Sequence, residues 1–297
     1  MNITIFPKKL TGSVIAIPSK SQAHRLLICA AFADAPTTLI CPDTNRDIEA
    51  TVDCLNALGA AIMRVESGYC VIPATKIPET AVLNCCESGS TLRFMLPVAG
   101  ALGVDTTFLM EGRLPQRPLS PLWEEMERMG CRLSRPSENT VRCEGKLRSG
   151  SYAIPGDISS QFITGLLLAC PLMDGASTVT VIGDLESKPY VEMTQKAMAL
   201  FGVTAADFRI AAGTFKSPGT VIVEGDWSNA AFFLGANALG NNVTVDNLNA
   251  DSAQGDRKCA QLVSDLVNNC TISAADIPDL VPILSVVAAA GKRRGVY

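Results

Sequence analysis

The chain has 297 residues, room for about two domains. Apolar residues make up 47% and charged residues 18%, which excludes a disordered or fibrous chain and supplies ample core. The net charge of −4 gives no overall electrostatic reason to track nucleic acid, so an anionic ligand has to be held by a local basic cluster.

The opening MNITIFPKKLTG has no long apolar run and reads as no signal peptide. From there one plan recurs. β-rich runs are expected at Val14–Pro18, Ala81–Cys85, Ser151–Pro155 and Thr220–Glu224. Each leads through a serine-bearing turn into an almost wholly apolar helix, starting near Ser21, Ser90, Ser160 and Ser228, at spacings of 69, 70 and 68 residues. Short Thr/Val strands follow at Thr37–Ile40, Thr106–Leu109, Ser177–Thr180 and Asn242–Val245. Second, amphipathic helices follow at Asp47–Leu58, Ser120–Met129, Tyr190–Phe201 and Asp256–Val267. The first of these carries the stripe Ile48, Val52, Leu55, Leu58, and three end at a glycine suited to a helix terminus: Gly59, Gly130 and Gly202.

A helix that is apolar nearly all round has to be covered on all sides. Small residues such as Gly165, Ala169, Gly235 and Ala236 let such helices pack closely. The pattern therefore predicts three units gathered into one domain with the apolar helices inside, the fourth unit opening a second domain. The runs from Phe162 to Met173 and Leu280 to Ala290 are too short for the ~18 apolar residues of a membrane span and read as buried core helices. A fifth start near Asp279 comes only 51 residues after Ser228 and stops at GKRRGVY, so the second domain is expected to be incomplete. The boundaries drawn are 19–220 for the first domain and 1–18 plus 221–297 for the second.

Eleven cysteines, with no CxxC pair and one histidine, read as free buried thiols in a reducing compartment rather than a zinc site or a catalytic thiol. His24 reads as structural or supporting.

The turns carry the chemistry. Helix N-termini present free N–H groups and partial positive charge, which favours anions, although a serine there can also be a simple cap. The first turn holds Lys20, Ser21 and Arg25; the second, Glu87 to Arg93, holds Gly89, which allows close backbone approach. Arg117, fixed before Pro118, suits clamping of phosphate or carboxylate. Ser159, Ser160, Gln161, Ser187 and Tyr190 add neutral donors that suit a polyhydroxylated ring.

The segments SKSQAHR, ESGSTLR, RLPQRP, SSQF, SKPY, VEGDWSNAAFFL, SAQGD and IPD occur in that order between about Ile17 and Ala290. Together they resemble the 5-enolpyruvylshikimate-3-phosphate synthase family. The resemblance implies an α/β, two-domain enolpyruvyl transferase fold built of βαβαββ repeats. It implies transfer of the enolpyruvyl group of phosphoenolpyruvate to the 5-hydroxyl of shikimate 3-phosphate, with release of phosphate, on the route to chorismate. By the same resemblance, Lys20, Gly89, Arg117 and Gln161 would hold phosphoenolpyruvate. Ser21, Arg25, Ser159, Ser160 and Ser187 would hold shikimate 3-phosphate, with Tyr190 beside it. Asp279 would contact its hydroxyls and accept the proton, and Lys20 would share in catalysis. No metal or organic cofactor is implied, and a cytoplasmic monomer with no nucleic-acid or membrane partner is expected.

The family's later Lys-Glu segment, and the two arginines and a lysine that close on phosphoenolpyruvate, find no match before Tyr297, so this chain alone is expected to bind weakly and turn over little. The sister family that uses UDP-N-acetylglucosamine usually carries Lys-Asn at the first turn and a reactive cysteine in the loop aligned with Arg113–Arg117. This chain has Lys20-Ser21 and no cysteine there. A non-catalytic module that binds shikimate 3-phosphate remains the alternative from another class.

Overall fold

The computed structural model describes residues 3, 4, 6, 8–266 and 271–290; the closing GKRRGVY stretch, Val267 and Cys270 lie outside them. The chain begins with β1 (Thr11–Ile15) and then runs through three similar rounds. The first has α1 (Lys20–Ala31), β2 (Thr37–Ile40), α2 (Arg46–Ala57), β3 (Ala61–Val65) and β4 (Gly68–Ile72). The second has β5 (Thr80–Asn84), α3 (Gly89–Leu102), β6 (Asp105–Leu109), α4 (Leu122–Arg128), β7 (Cys131–Ser137) and β8 (Thr140–Gly145). The third has β9 (Ser151–Pro155), α5 (Ser160–Ala169), β10 (Ser177–Ile182), α6 (Lys188–Leu200) and β11 (Arg209–Ile210). The remaining elements are β12 (Thr220–Ile222), α7 (Trp227–Ala238), β13 (Asn242–Asp246), α8 (Cys259–Asp265) and α9 (Val281–Ala290).

The chain falls into two units, one of residues 20–223 and one of residues 1–19 with 224–297. The larger unit holds three sheets, in the orders β12-β2-β4-β3, β5-β6-β8-β7 and β11-β10-β9. Each sheet has one parallel pair, at one edge: β12 with β2, β5 with β6, and β9 with β10. The apolar helices occupy the interior. α1 is buried continuously from Ala23 to Ala31, α3 from Phe94 to Ala101, and α5 from Phe162 to Ala169. Each large apolar side chain so enclosed contributes about 1.5–3 kcal/mol relative to exposure.

α3 and α5 cross at unusually close range, and two residues make this possible. Pro97 lacks the N–H that would bond the Arg93 carbonyl within α3. Gly165 of α5 presses its bare Cα against that carbonyl, and an added Cβ would collide with the Arg93 oxygen and with the Pro97 ring. At the helix ends, Gly59, Gly130 and Gly202 each follow the residue that caps α2, α4 and α6, with positive φ, where an L side chain is disfavoured.

The strands at the ends of the larger unit are paired differently from their order in the chain. By the repeat pattern the run at Val14–Pro18 is the opening strand of the first repeat. Its strand, β1, instead pairs parallel with β13 in the smaller unit. The matching place beside β2 is taken by β12, so residues 221–223 lie in the larger unit rather than in the second domain drawn from the sequence. Both runs are short and β-rich, and only long-range pairing distinguishes them. α4 starts at Leu122 rather than Ser120, after Pro121, and Asp256 lies in a 3-10 turn ahead of α8.

The smaller unit departs further. The composition of α7 and α9 predicts cover on all sides, but each buries one face only. Ala231, Cys259, Leu280, Leu284 and Val287 form their shared core, whereas Phe232 is 60% and Val286 54% exposed. Within the smaller unit α7 packs mainly against α8, α9, β13 and the 3-10 turns at Gly255–Lys258 and Pro278–Leu280. The ten described cysteines are free thiols, eight of them buried.

Candidate functional site

The opening turns of α1, α3, α5 and α6, with the residues that cap them, carry all but two of the residues singled out from sequence, Arg117 and Asp279. On α1, Lys20 Nζ pairs with Asp47 Oδ2 of α2 at 3.0 Å. This ion pair is partly exposed and worth at most ~1 kcal/mol, so the lysine is readily released to a competing anion. Ser21 contributes its carbonyl to the Arg25 guanidinium.

α3 starts under a cap: Ser88 Oγ accepts from the Thr91 amide at 3.2 Å. Gly89 is buried at the head of that helix, and the Arg117 guanidinium lies against it, with Nη1 2.8 Å from where a Cβ would stand. Arg93 Nη1 lies 3.7 Å from the same point. Arg117 is exposed and, among the described residues, its guanidinium has no hydrogen-bond or ion-pair partner. Arg93 stacks on the Phe162 ring at 5.3 Å and donates to Gln161 Oε1 at 2.6 Å and to the Pro118 carbonyl at 3.2 Å. Burial, and then the nearby Arg117 charge, push its guanidinium pKa down. Its Nε is buried and, among the described residues, has no hydrogen-bond partner. Two like-charged heads beside a helix N-terminus make a place where an anion relieves repulsion.

On α5, Ser159 caps the helix by accepting from the Gln161 amide at 3.3 Å, and Ser160 is its first residue. Gln161 reaches back to α3 through Nε2, which donates to Ser90 Oγ at 3.0 Å. Ser187 precedes α6 in a left-handed conformation at φ 54°, and its carbonyl accepts from the Tyr190 amide at 3.0 Å. The Tyr190 carbonyl in turn accepts from Arg25 Nη2 at 3.0 Å.

A buried chain of hydroxyls links these turns. His24 Nδ1 bonds Thr51 Oγ1 at 2.7 Å, Thr51 bonds Thr91 at 2.7 Å, and Thr91 donates to Ser88 Oγ at 2.7 Å. Thr91 also approaches the Asp47 carbonyl at 3.3 Å, which ties the Lys20 partner to the Gly89 turn. His24 is held neutral: burial, then Lys20 and Arg25, lower its pKa to about 3 against a smaller opposing pull from Asp47.

The structure thus brings Gly89, Arg117 and Gln161 together around Arg93, and joins Ser21, Arg25 and Tyr190. Asp279 lies in the smaller unit, exposed on a 3-10 turn at Pro278–Leu280. Arg93 is a residue of this site to which the sequence pattern alone gives no role. The available signal was its place four residues after Gly89, on the same helix face.

The family model described as EPSP synthase (3-phosphoshikimate 1-carboxyvinyltransferase) matches residues 6–289. The chain belongs to this family. Relatives named 3-phosphoshikimate 1-carboxyvinyltransferase from Clostridium beijerinckii and Clostridium perfringens are each 35% identical, over 320 and 317 residues. The alignments cover 97% and 98% of this chain and 74% of each relative. A solved EPSP synthase from Acinetobacter baumannii superposes with a TM-score of 0.65 at 24% identity, which establishes the shared fold. The match covers 80% of this chain and 55% of that one, so the chain spans little more than half the length of the solved enzyme. Like the other members of the EPSP synthase family, it is a mixed α/β protein. Among the described residues no helix is long and apolar enough to cross a membrane.

Proposed function

We propose that this chain serves the transfer of an enolpyruvyl group from phosphoenolpyruvate to the 5-hydroxyl of shikimate 3-phosphate, in aromatic amino acid biosynthesis. The observation that carries the reading is the Arg93–Arg117 pair at Gly89. Two guanidinium groups converge on the N-terminus of a 14-residue helix, and among the described residues neither has a carboxylate partner. Such an arrangement suits a small, multiply charged anion.

In this reading Lys20, Gly89, Arg117 and Gln161 hold phosphoenolpyruvate, with Arg93 orienting the Gln161 amide. Ser21, Arg25, Ser159, Ser160, Ser187 and Tyr190 receive shikimate 3-phosphate. The vinyl CH2 carbon gains a proton as the 5-hydroxyl oxygen bonds to the carbon bearing the phosphate ester. Lys20 balances charge there, and Asp279 takes the hydroxyl proton. Loss of a methyl proton then restores the double bond as the C–O bond to phosphate breaks. Holding both reactants together supplies up to ~7–11 kcal/mol in ideal cases. A monomeric, cytoplasmic protein is part of the same proposal.

Calorimetry on the 297-residue chain tests it, with each substrate alone and with phosphoenolpyruvate added to the shikimate 3-phosphate complex, alongside phosphate release. Binding of shikimate 3-phosphate, strengthened phosphoenolpyruvate binding in its presence, and phosphate release support transfer. Binding of shikimate 3-phosphate alone, with no response to phosphoenolpyruvate, favours the non-catalytic module. No binding of either overturns both.

A further inference from the structure

Arg25 is a wholly enclosed cation in an uncharged setting. It is 2% exposed and lies over the Phe94 ring at 5.1 Å. Among the described residues it forms no ion pair with any Asp or Glu. Its partners are neutral oxygens. Nε donates to Thr194 Oγ1 at 2.8 Å, Nη2 to Thr164 Oγ1 at 3.3 Å and to the Tyr190 carbonyl at 3.0 Å, and Nη1 to the Ser21 carbonyl. Thr164 and Thr194 are fully buried on α5 and α6.

The proton directions close without conflict. Thr194 donates its hydroxyl hydrogen to the Tyr190 carbonyl at 2.9 Å, so its lone pairs are left for Arg25 Nε and for Thr164 at 2.9 Å. Thr164 then donates to Thr194 and accepts from Arg25 Nη2. A guanidinium has five N–H donors. Four are spent inside this cage, and the fifth, on Nη1, remains.

Burying a charge without a counter-ion is costly to the fold, and a carboxylate beside it would lower that cost. Burial accordingly depresses the Arg25 pKa to about 10, against small upward pulls from Tyr190 and Cys29. The protein has instead surrounded the cation with groups that fix its orientation and leave its charge uncancelled.

We propose that Thr164 and Thr194 are positioning residues for ligand binding: they hold Arg25 rigid with its charge uncancelled and one Nη1 N–H unspent, so that it meets an acidic ligand through a single oxygen rather than through a two-pronged fork. The ligand identity rests on the shikimate 3-phosphate reading above; the cage itself does not. Neither threonine touches the ligand in this account. Their effect passes through Arg25.

The test uses the 297-residue chain with Thr194→Val, Thr194→Ser and Thr194→Asp. Three readouts are taken: melting temperature, calorimetric affinity for shikimate 3-phosphate, and hydrogen exchange of the Arg25 Nε–H by NMR, with the signal assigned from its absence in Arg25→Lys. Thr194→Val is expected to weaken binding about tenfold or more, the order expected when a buried charged donor loses its acceptor. The same variant should speed Nε–H exchange, and Thr194→Ser should restore both. Thr194→Asp supplies the missing counter-ion, so it should melt no lower than the unmodified chain yet lose shikimate 3-phosphate binding. A purely structural threonine would not separate stability from affinity in that way. If Thr194→Val fails to fold, Thr164→Val removes the longer Arg25 bond together with the Thr164–Thr194 bond but leaves Arg25 Nε on Thr194, and it is expected to weaken binding by a smaller factor.

Unchanged affinity in folded Thr194→Val or Thr164→Val overturns the proposal, as does full binding by Thr194→Asp. If the unmodified chain binds no shikimate 3-phosphate, the functional reading falls. The cage is still decided, because a fast-exchanging Arg25 Nε–H overturns it and a protected one lost in Thr194→Val supports it.

Discussion

Arg93 of α3 donates to Gln161 of α5 at 2.6 Å, and the other end of the same amide donates to Ser90 at 3.0 Å. Gln161 is therefore fixed in one orientation between two neighbouring helices. Its replacement by alanine removes both bonds and leaves the Arg93 head held only by the Pro118 carbonyl and the Phe162 ring. Stability should fall by about 1–2 kcal/mol in urea unfolding, and phosphoenolpyruvate affinity should fall with it. Gln161→Glu should behave oppositely on the first count, gaining an ion pair with Arg93, while losing phosphoenolpyruvate affinity because that pair cancels charge. An unchanged affinity in the glutamate variant would sever the site from this cation.

Gly89 and Gly165 differ in what a methyl group would strike. At Gly89 it would meet the far end of the Arg117 side chain at 2.8 Å, which can swing away. At Gly165 it would meet the backbone carbonyl of Arg93, which cannot. Gly89→Ala should leave the melting temperature nearly unchanged and weaken phosphoenolpyruvate binding by displacing Arg117. Gly165→Ala should cost about 3 kcal/mol by forcing α3 and α5 apart. Thermal melts of the two variants side by side measure the contrast.

His24 sets a pH dependence of stability. Its pKa is 6.5 when exposed and about 3 in the fold, so between these values the unfolded chain binds a proton that the folded chain does not. Its contribution is complete above pH 6.5 and is lost as pH falls toward 3, a span worth on the order of 5 kcal/mol. His24→Gln should flatten this part of the stability profile. Urea midpoints measured from pH 7 down to pH 4 compare the two, and parallel slopes would show that His24 is protonated in the folded protein.

Arg117→Ala should chiefly reduce phosphoenolpyruvate affinity. Arg117 faces Gly89 and Arg93, whereas Arg25 and Tyr190 form a separate hydrogen-bonded group. The melting temperature should hardly move, since the side chain is exposed and unpaired among the described residues. Calorimetry with each substrate decides it: equal losses for both would remove Arg117 from its assigned partner.

The amino-acid sequence determined the repeat period, the apolar helices and the anion-facing turns. Strands Thr37–Ile40 and Ser151–Pro155 lie where the alternation and β-branched residues put them, and the glycines after α2, α4 and α6 take the positive φ their positions demand. These features are local, set by residues within one or two helical turns of each other. Only the tertiary structure decided that β12 rather than β1 lies beside β2, a pairing of segments some 180 residues apart. It also decided that Phe232 and Val286 face outward on helices whose composition asks for burial. The Arg25 cage is of the same kind, since Thr164 and Thr194 are unremarkable threonines until α5 and α6 close around α1. The physical reason is shared: strand pairing, burial and hydrogen-bond partnership are properties of pairs of segments, and a sequence pattern describes each segment only by itself.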